Sequence, residues 1–246
     1  MLIGLFYGFL GDFFDKRNEL PAEFFALLYD LLGARFTKNP KMKFKVLPGN
    51  HDQFTVSGRN ALEVLALHPQ VKVFTEPEWD EYGLWIPYRL HHDDLKAALK
   101  LRKPKGSPAI CFIHHGLKGS MMNNSIEASE GLEEKEFDKK FERIYLGHYH
   151  KHQILGRAVY VGSPYETSWA ESNQPKGVLT SQGADFQFFG LEIGPKHLTV
   201  EFNGEGKPKI PKGFRDGYDI LKVVTTLSYD KAKEIGLQEK LAKAGV

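Results

Sequence analysis

Short apolar runs and longer amphipathic stretches follow one another through the first two thirds of the chain. Mainly apolar runs bounded by glycine or proline predict buried strands. These runs are residues 2–10, 44–47, 109–113, 143–146 and 158–161. The stretches between them predict helices, because their apolar residues recur at helical spacing. The predicted helices run from Pro21 to a stop at Gly33, from 60 to 67 and from 93 to 101.

The pattern changes after Lys176, where strand-like runs follow one another directly, at residues 177–180, 186–193 and 198–202. Residues 207–217 are rich in Pro, Gly and Lys and predict a linker. A strand at 218–225 and a helix at 229–244 follow it. Alternating strands and helices, then consecutive strands, predict a layered α/β fold. The linker divides the chain into a main domain, 1–206, and a segment of linker and partial capping domain, 207–246.

Composition narrows the class of protein. Of 246 residues, 41% are hydrophobic and 26% charged, which is typical of a globular protein with a sizeable core. The net charge of +2 is nearly balanced, so any DNA-binding surface is expected to be local. A single cysteine, Cys111, cannot form an internal disulfide, and we predict a cytoplasmic location. Residues 1–10 lack the charged start of a signal peptide and are too few to span a membrane, so no membrane association is predicted.

Four motifs rich in potential metal ligands directly follow predicted strands. They are Gly11-Asp12-Phe13-Phe14-Asp15, Gly49-Asn50-His51-Asp52, His114-His115-Gly116 and Gly147-His148-Tyr149-His150. Since loops at the carboxyl ends of strands converge in an open α/β sheet, we expect these side chains to meet. Carboxylate, amide oxygen and imidazole together suit Mn²⁺, Fe²⁺ or Zn²⁺. Two such ions ~3.5–4 Å apart can bind both ends of an in-line phosphoryl displacement.

The order of these motifs resembles the signature of the calcineurin-like metallophosphoesterases, over roughly residues 1–195. Within that group the chain is most similar to SbcD-type DNA double-strand break repair nuclease subunits, including those of large phages. This finer resemblance is carried by residues 11–18 and by the run Tyr160-Val161-Gly162-Ser163-Pro164, which continues to Gln174. The resemblance implies a metallophosphoesterase β-sandwich flanked by helices, with a truncated C-terminal cap segment.

The resemblance also implies a set of metal ligands. Asp12 matches the carboxylate that bridges two metals, and Asn50, His114 and His148 match the other ligands of one metal. His150 matches a ligand of the other metal. His114 is preferred to its neighbour because the first histidine of the pair more often aligns with the ligand.

Catalytic and substrate-binding roles are carried over in the same way. His51 matches the residue that touches the scissile phosphate or protonates the leaving oxygen, a role that suits histidine because free imidazole titrates near ~6.5. Asp52 is expected to orient His51. Asp15 either orients His51 as well or caps the following helix, and the sequence favours neither. His115 and Ser163 are assigned to substrate binding.

One family motif is missing. The family carries an Asp-x-His motif on its first strand, which supplies two ligands to the first metal. Here none of the eleven residues before Asp12 is Asp or His, so that metal keeps only Asp12 and His150 from the signature. Three explanations stay open: the chain is a fragment, it is a one-metal member, or it has lost catalysis and kept binding. The short C-terminal end favours the first.

The predicted function is hydrolysis of DNA phosphodiesters by metal-activated water in DNA end processing, recombination or repair, as an exonuclease or an endonuclease. The resemblance implies Mn²⁺ as cofactor, with Mg²⁺, Fe²⁺ or Zn²⁺ as alternatives, together with a homodimer and an SMC-like ATPase partner. One rival is a small-molecule phosphatase or phosphodiesterase, against which the Gly162-Ser163-Pro164 turn argues. The other is a non-catalytic DNA-binding subunit, which the missing Asp-x-His motif supports.

Overall fold

The computed structural model describes residues 6–15, 20–55, 59–203, 205, 209–215, 217–237 and 239. Its strands are β1 (Phe6–Leu10), β2 (Lys43–Leu47), β3 (Val71–Val73), β4 (Glu78–Trp79), β5 (Leu84–Ile86), β6 (Ile110–His114), β7 (Arg143–Gly147), β8 (Gln153–Leu155), β9 (Ala158–Tyr160), β10 (Gly177–Gln182), β11 (Asp185–Gly190), β12 (His197–Phe202) and β13 (Ile220–Thr225). Its α-helices are α1 (Ala22–Lys38), α2 (His92–Leu99) and α3 (Tyr229–Glu234). Short 3-10 helices cover Ala61–Leu67, Glu134–Glu136 and Trp169–Glu171. The predicted α/β class is confirmed.

A six-stranded sheet in the order β4-β5-β6-β7-β9-β8 forms the centre of the fold. Its four inner strands are parallel, and the two edge strands are antiparallel to their neighbours. A second, parallel sheet has the order β1-β2-β3. Parallel pairing brings the carboxyl ends of neighbouring strands to one edge of each sheet, and the predicted motifs follow those ends.

Side chains alternate between the two faces of the central sheet, as the period of two in a strand requires. One face packs Leu84, Ile113 and Leu146 against apolar residues of α2. The other face packs an aromatic layer against β1 and the β10–β11 hairpin. In this layer Trp85 stacks between Phe74 and Phe112, with ring centroids 4.6 and 4.1 Å away. The sheet is therefore covered on both sides, and its loop edge is left for a site.

Helix α1 covers the β1–β3 sheet and corrects one prediction. Gly33 was predicted to end this helix, but the helix continues to Lys38. Glycine inside a helix costs about 1 kcal/mol relative to alanine. Burial of Phe36 in the next turn and packing of Leu32 just before the glycine outweigh that cost. The helix predicted at 60–67 is a 3-10 helix, capped by the side chain of Asn60.

The short strands β3, β4, β5 and β8 escaped prediction, because two or three residues are too few to show a period. Strand β11 ends at Gly190, before the predicted 193. Residues 2–5 of the first predicted strand and residues 238 and 240–244 of the last predicted helix lie outside the described residues.

The predicted domain boundary falls between two paired strands. Strand β12, assigned to the main domain, pairs in parallel with β13, which lies beyond the predicted linker. The division into domains stays a prediction. In the part of the chain that the structure describes, no helix combines the length and apolar character needed to cross a membrane.

Candidate metal centre

Four polar side chains meet where four strands end. Asp12 follows β1, Asn50 follows β2, His114 closes β6 and His148 follows β7. Ligand atoms of Asp12, His114 and His148 all lie within 4.8 Å of one another. The amide oxygen of Asn50 lies 3.2 Å from His114 Nε2 and 3.0 Å from His148 Nδ1. The structure thus brings together the four residues that the sequence assigned to one metal.

His114 has a defined tautomer. Its ring is fully buried, and its Nδ1 lies 2.5 Å from the carbonyl oxygen of Leu10. A carbonyl oxygen only accepts, so Nδ1 carries the proton and Nε2 keeps its lone pair. That lone pair faces the Asn50 oxygen and the Asp12 carboxylate, whose Oδ2 lies 3.2 Å away. When the His114 ring is neutral, the Nε2 lone pair and the lone pairs of these two oxygens face one another with no proton between them. Such an arrangement fits a bound cation.

The charge states also suit a cation. Burial, followed by the neighbouring His114 ring, lowers the pKa of His148 to about 3, so its imidazole is neutral at physiological pH. Burial alone would raise the pKa of Asp12, but the neighbouring His114 ring and the amide of His51 outweigh it and lower this pKa to about 2. The cluster therefore presents to a cation the anionic carboxylate of Asp12 and the neutral imidazole of His148, which need not lose a proton before binding.

The backbone around the site is strained and tightly packed. Asp12 and His148 have positive φ values of 56° and 99°, which non-glycine residues adopt at a cost of roughly 1–3 kcal/mol. Gly11 also has a positive φ, 94°, and a Cβ there would lie 2.0 Å from His114 Nδ1. A Cβ at Gly147 would lie 1.8 Å from the Leu10 carbonyl oxygen. The glycines of the motifs thus let the loops approach closely enough for the ligands to meet.

The variant Gly147→Ala tests this packing. The added methyl group must displace the Leu10 carbonyl that orients His114, so we expect Mn²⁺ affinity to fall by roughly 10–100-fold and stability by about 1–3 kcal/mol. Calorimetric Mn²⁺ titration and urea unfolding measure the two effects. Gly190→Ala is the matched control, because its nearest neighbouring atom would lie 4.0 Å from the new Cβ. Wild-type metal affinity in Gly147→Ala would show that this contact does not orient a ligand.

His51 lies beside the cluster and is held at two points. Its backbone N–H donates to Asp12 Oδ1 at 2.9 Å, and its ring Nδ1 lies 2.9 Å from the carbonyl oxygen of Asp15. Nδ1 is therefore the donor in this pair, and Nε2 is the other ring nitrogen, free to act on a substrate. Asp15 contacts His51 through its backbone carbonyl, and its role in orienting His51 stays a prediction.

Asp52 was predicted to orient His51. Its buried carboxylate instead accepts hydrogen bonds from the backbone N–H groups of Phe14, at 3.0 Å, and Gly49, at 2.7 Å. Burial raises the pKa of Asp52 to about 6, although these two amides oppose the shift. Asp52 thus joins the loops after β1 and β2 and acts on the site by fixing their distance.

Three predicted residues lie outside the cluster of four. The ring Nδ1 of His150 lies 2.7 Å from Glu171 Oε1. The ring of His115 contacts the carbonyl oxygen of Gly116 at 3.1 Å, and burial lowers its pKa. The hydroxyl of Ser163 donates to the Tyr165 carbonyl at 2.8 Å and accepts from Lys176 at 2.8 Å. Because the Ser163 hydroxyl is engaged within the protein, the geometry lends no support to its predicted contact with substrate.

Tyr88, at the rim of the site, was not predicted from the sequence. It follows β5, and its ring centroid lies 6.3 Å from that of His114 and 6.5 Å from that of His148. The half-exposed ring can contact a substrate held at the cluster. The available signal was the Pro87-Tyr88 pair after the apolar residues of β5, a strand too short to be predicted.

Comparison with known proteins gives one family match and one similar protein. Residues 6–190 match the sequence profile of the calcineurin-like phosphoesterase family. The chain is also similar to exonuclease subunit 1 of Enterobacteria phage T4, with 24% identity over 174 residues that cover 68% of this chain and 50% of the relative. The chain thus spans about half the length of that relative.

Proposed function

The chain belongs to the calcineurin-like phosphoesterase family, and on that premise we propose that it is a metal-dependent nuclease that hydrolyses phosphodiester bonds of DNA. The observation that carries the proposal is the meeting of Asp12, Asn50, His114 and His148 with the Nε2 lone pair of His114 directed at the oxygens. Similarity to a phage exonuclease subunit supports a nucleic-acid substrate. The proposed setting is DNA end processing in repair or recombination.

The proposed cofactor is Mn²⁺. The residues that would hold it are Asp12, Asn50, His114 and His148. A ligand set of two imidazoles, a carboxylate and an amide oxygen suits Mn²⁺, Fe²⁺ or Zn²⁺ better than a ligand set made of oxygens alone does. When bound, such an ion lowers the pKa of a coordinated water and offsets negative charge on the phosphate. The positive φ of Asp12 and His148 supports this assignment, because backbone strain concentrates at functional sites.

His51 supplies the proton in the proposed reaction. Its Nδ1–H is held by the Asp15 carbonyl, so the protonated ring presents the Nε2 proton to the leaving oxygen. The bond from the water oxygen to phosphorus forms as this water releases a proton to solvent, and the bond from phosphorus to the sugar oxygen breaks. The sugar oxygen takes the proton of His51, which solvent then restores. The backbone N–H of His51 is bonded to Asp12, so the acid is positioned relative to a ligand.

The proposed partners are DNA, a second copy of the chain and an SMC-like ATPase subunit. The net charge of +2 supplies little general attraction for a polyanion, which is consistent with DNA being presented by another subunit. The ATPase and the homodimer rest on the resemblance to SbcD-type nucleases.

Cleavage of linear duplex DNA and of a chromogenic phosphodiester, each in Mn²⁺ with and without a chelator, tests the proposal. We expect both substrates to be hydrolysed and the chelator to stop both reactions. Hydrolysis of the chromogenic compound alone would favour a small-molecule phosphodiesterase. Retention of DNA by folded protein without any hydrolysis would favour a binding subunit, and either result would contradict the nuclease proposal.

A further inference from the structure

The backbone of Tyr88 is tied to the loop that follows β2. Tyr88 comes after β5, which pairs in parallel with β6, so it emerges at the sheet edge where β6 carries a ligand of the cluster. Its N–H donates to the Pro48 carbonyl at 3.0 Å, and its own carbonyl accepts from the side chain of Gln53 at 3.1 Å. These two contacts lie on either side of Asn50 and His51, so the backbone sets where Tyr88 stands relative to the metal centre.

The ring of Tyr88 lies beside three histidine rings. Its centroid is 5.9 Å from that of His115, 6.3 Å from that of His114 and 6.5 Å from that of His148. Its plane is inclined by 34° to His115 and by only 21° to His148. The residue is half-exposed. A flat aromatic surface, open in part to solvent, therefore borders the place where the ligand atoms of the cluster meet.

Packing of the apolar interior does not account for this ring. In the part of the chain that the structure describes, Tyr149 packs against the apolar cluster on one face of the central sheet, whereas Tyr88 belongs to no apolar cluster. Because its backbone is held at two points, Tyr88 can bind a planar group without a large loss of conformational entropy. The ring is thus better explained by contact with a ligand than by a role in the core.

We propose that Tyr88 is a specificity-determining residue whose ring stacks on the base of a nucleotide that adjoins the scissile phosphate. One sugar separates a base from its phosphate, so a phosphate held at the cluster brings a base to the rim. Every base has a π face, so this contact favours nucleotide phosphodiesters over other phosphodiesters without reading the sequence. The inference rests on the proposed function, in which the cluster acts on a phosphate.

Two chromogenic substrates that differ only in the alcohol test the proposal. Nitrophenyl thymidine phosphate carries a base, and nitrophenyl methyl phosphate carries none. We expect the wild type to prefer the thymidine compound, and in Tyr88→Leu the ratio of the two kcat/KM values should fall by roughly 5–100-fold, the effect of losing one base–aromatic stack. The loss should lie mainly in KM, since stacking holds the substrate and the transition state alike. A disturbed metal centre would slow both substrates, so the ratio isolates the contact with the base.

Two further variants serve as controls. Tyr88→Phe keeps the ring and loses only the hydroxyl, so it should keep the wild-type ratio. Tyr29→Leu removes a tyrosine of α1 that also lies at 21° to a histidine ring, that of His68, with centroids 3.8 Å apart. It should keep the wild-type ratio as well. An unchanged ratio in folded Tyr88→Leu, or an equal loss in Tyr88→Phe, would overturn the proposal.

Binding of a single-stranded oligonucleotide separates this inference from the proposed function. A fluorescent adenine analogue, placed at each position in turn, is quenched where it stacks on an aromatic ring. In the His51→Ala background, which is expected to keep the metal site and cleave slowly, we expect quenching with Tyr88 and with Tyr88→Phe but none with Tyr88→Leu. A bound oligonucleotide without quenching, or no binding by the folded protein, would overturn the inference. Quenching in a chain that hydrolyses no phosphodiester even with His51 present would instead refute the proposed function.

Discussion

An Asp12→Asn variant is expected to lose phosphodiesterase activity by at least roughly 10³-fold, the equivalent of about 4 kcal/mol of transition-state stabilisation. The carboxylate is the anionic group of the described cluster of four, and its Oδ2 lies 3.2 Å from His114 Nε2. Removing that charge weakens the hold on a cation. Asparagine tolerates the φ of 56° and can still accept from the His51 amide, so the fold should survive.

Asp30→Asn on the exposed face of α1 is the control for loss of a carboxylate. We expect Asp30→Asn to retain wild-type hydrolysis and Mn²⁺ affinity. Rates are measured on a chromogenic phosphodiester at saturating Mn²⁺, and affinity is measured by calorimetry. Full activity in Asp12→Asn would show that this carboxylate holds no catalytic ion.

A His51→Ala variant is expected to cleave DNA about 10²–10⁴-fold more slowly than the wild type, because it loses the general acid. Its Mn²⁺ affinity should stay unchanged, since His51 contacts Asp12 only through the backbone N–H, which alanine retains. A nitrophenyl leaving group departs without a proton, so hydrolysis of a nitrophenyl phosphodiester should fall much less. This difference between substrates distinguishes an acid from a residue that only binds phosphate.

His91→Ala provides the comparison for His51→Ala. His91 is exposed and precedes α2 without a side-chain capping bond, so its loss should leave both substrates unaffected. Equal losses on DNA and on the nitrophenyl compound in His51→Ala would contradict the acid role and favour ground-state contact with the phosphate.

The ligand cluster could be predicted because its residue types follow apolar strands. Strands β1, β2, β6 and β7 were each recognisable. Parallel pairing aligns the ends of β1 and β2 in one sheet and those of β6 and β7 in the other, and the contact between His114 and the Leu10 carbonyl joins the two edges. The roles of the neighbouring residues could not be predicted in the same way. The Leu10 carbonyl that sets the tautomer of His114 is a backbone group, so no residue type in the sequence reveals it. The same is true of the Asp15 carbonyl that holds His51.

Tertiary packing determines the features that the sequence did not predict correctly. Gly33 has a low helix propensity, but Phe36 in the next turn is buried against the β1–β3 sheet and keeps the helix intact. Strand β5 has three residues, all fully buried, so no period was available to reveal it or Tyr88 beyond it. Glu171 meets His150 across 21 residues of sequence, a distance at which side-chain pairing has no local signature.

Anomalous diffraction from crystals grown in Mn²⁺ shows directly whether the cluster of four binds a metal ion. We expect a manganese peak in contact with Asp12, Asn50, His114 and His148, and its loss in crystals of Asp12→Asn. Manganese bound only at other residues, or no peak at the cluster at saturating Mn²⁺, would contradict the claim that these four loops form a metal centre.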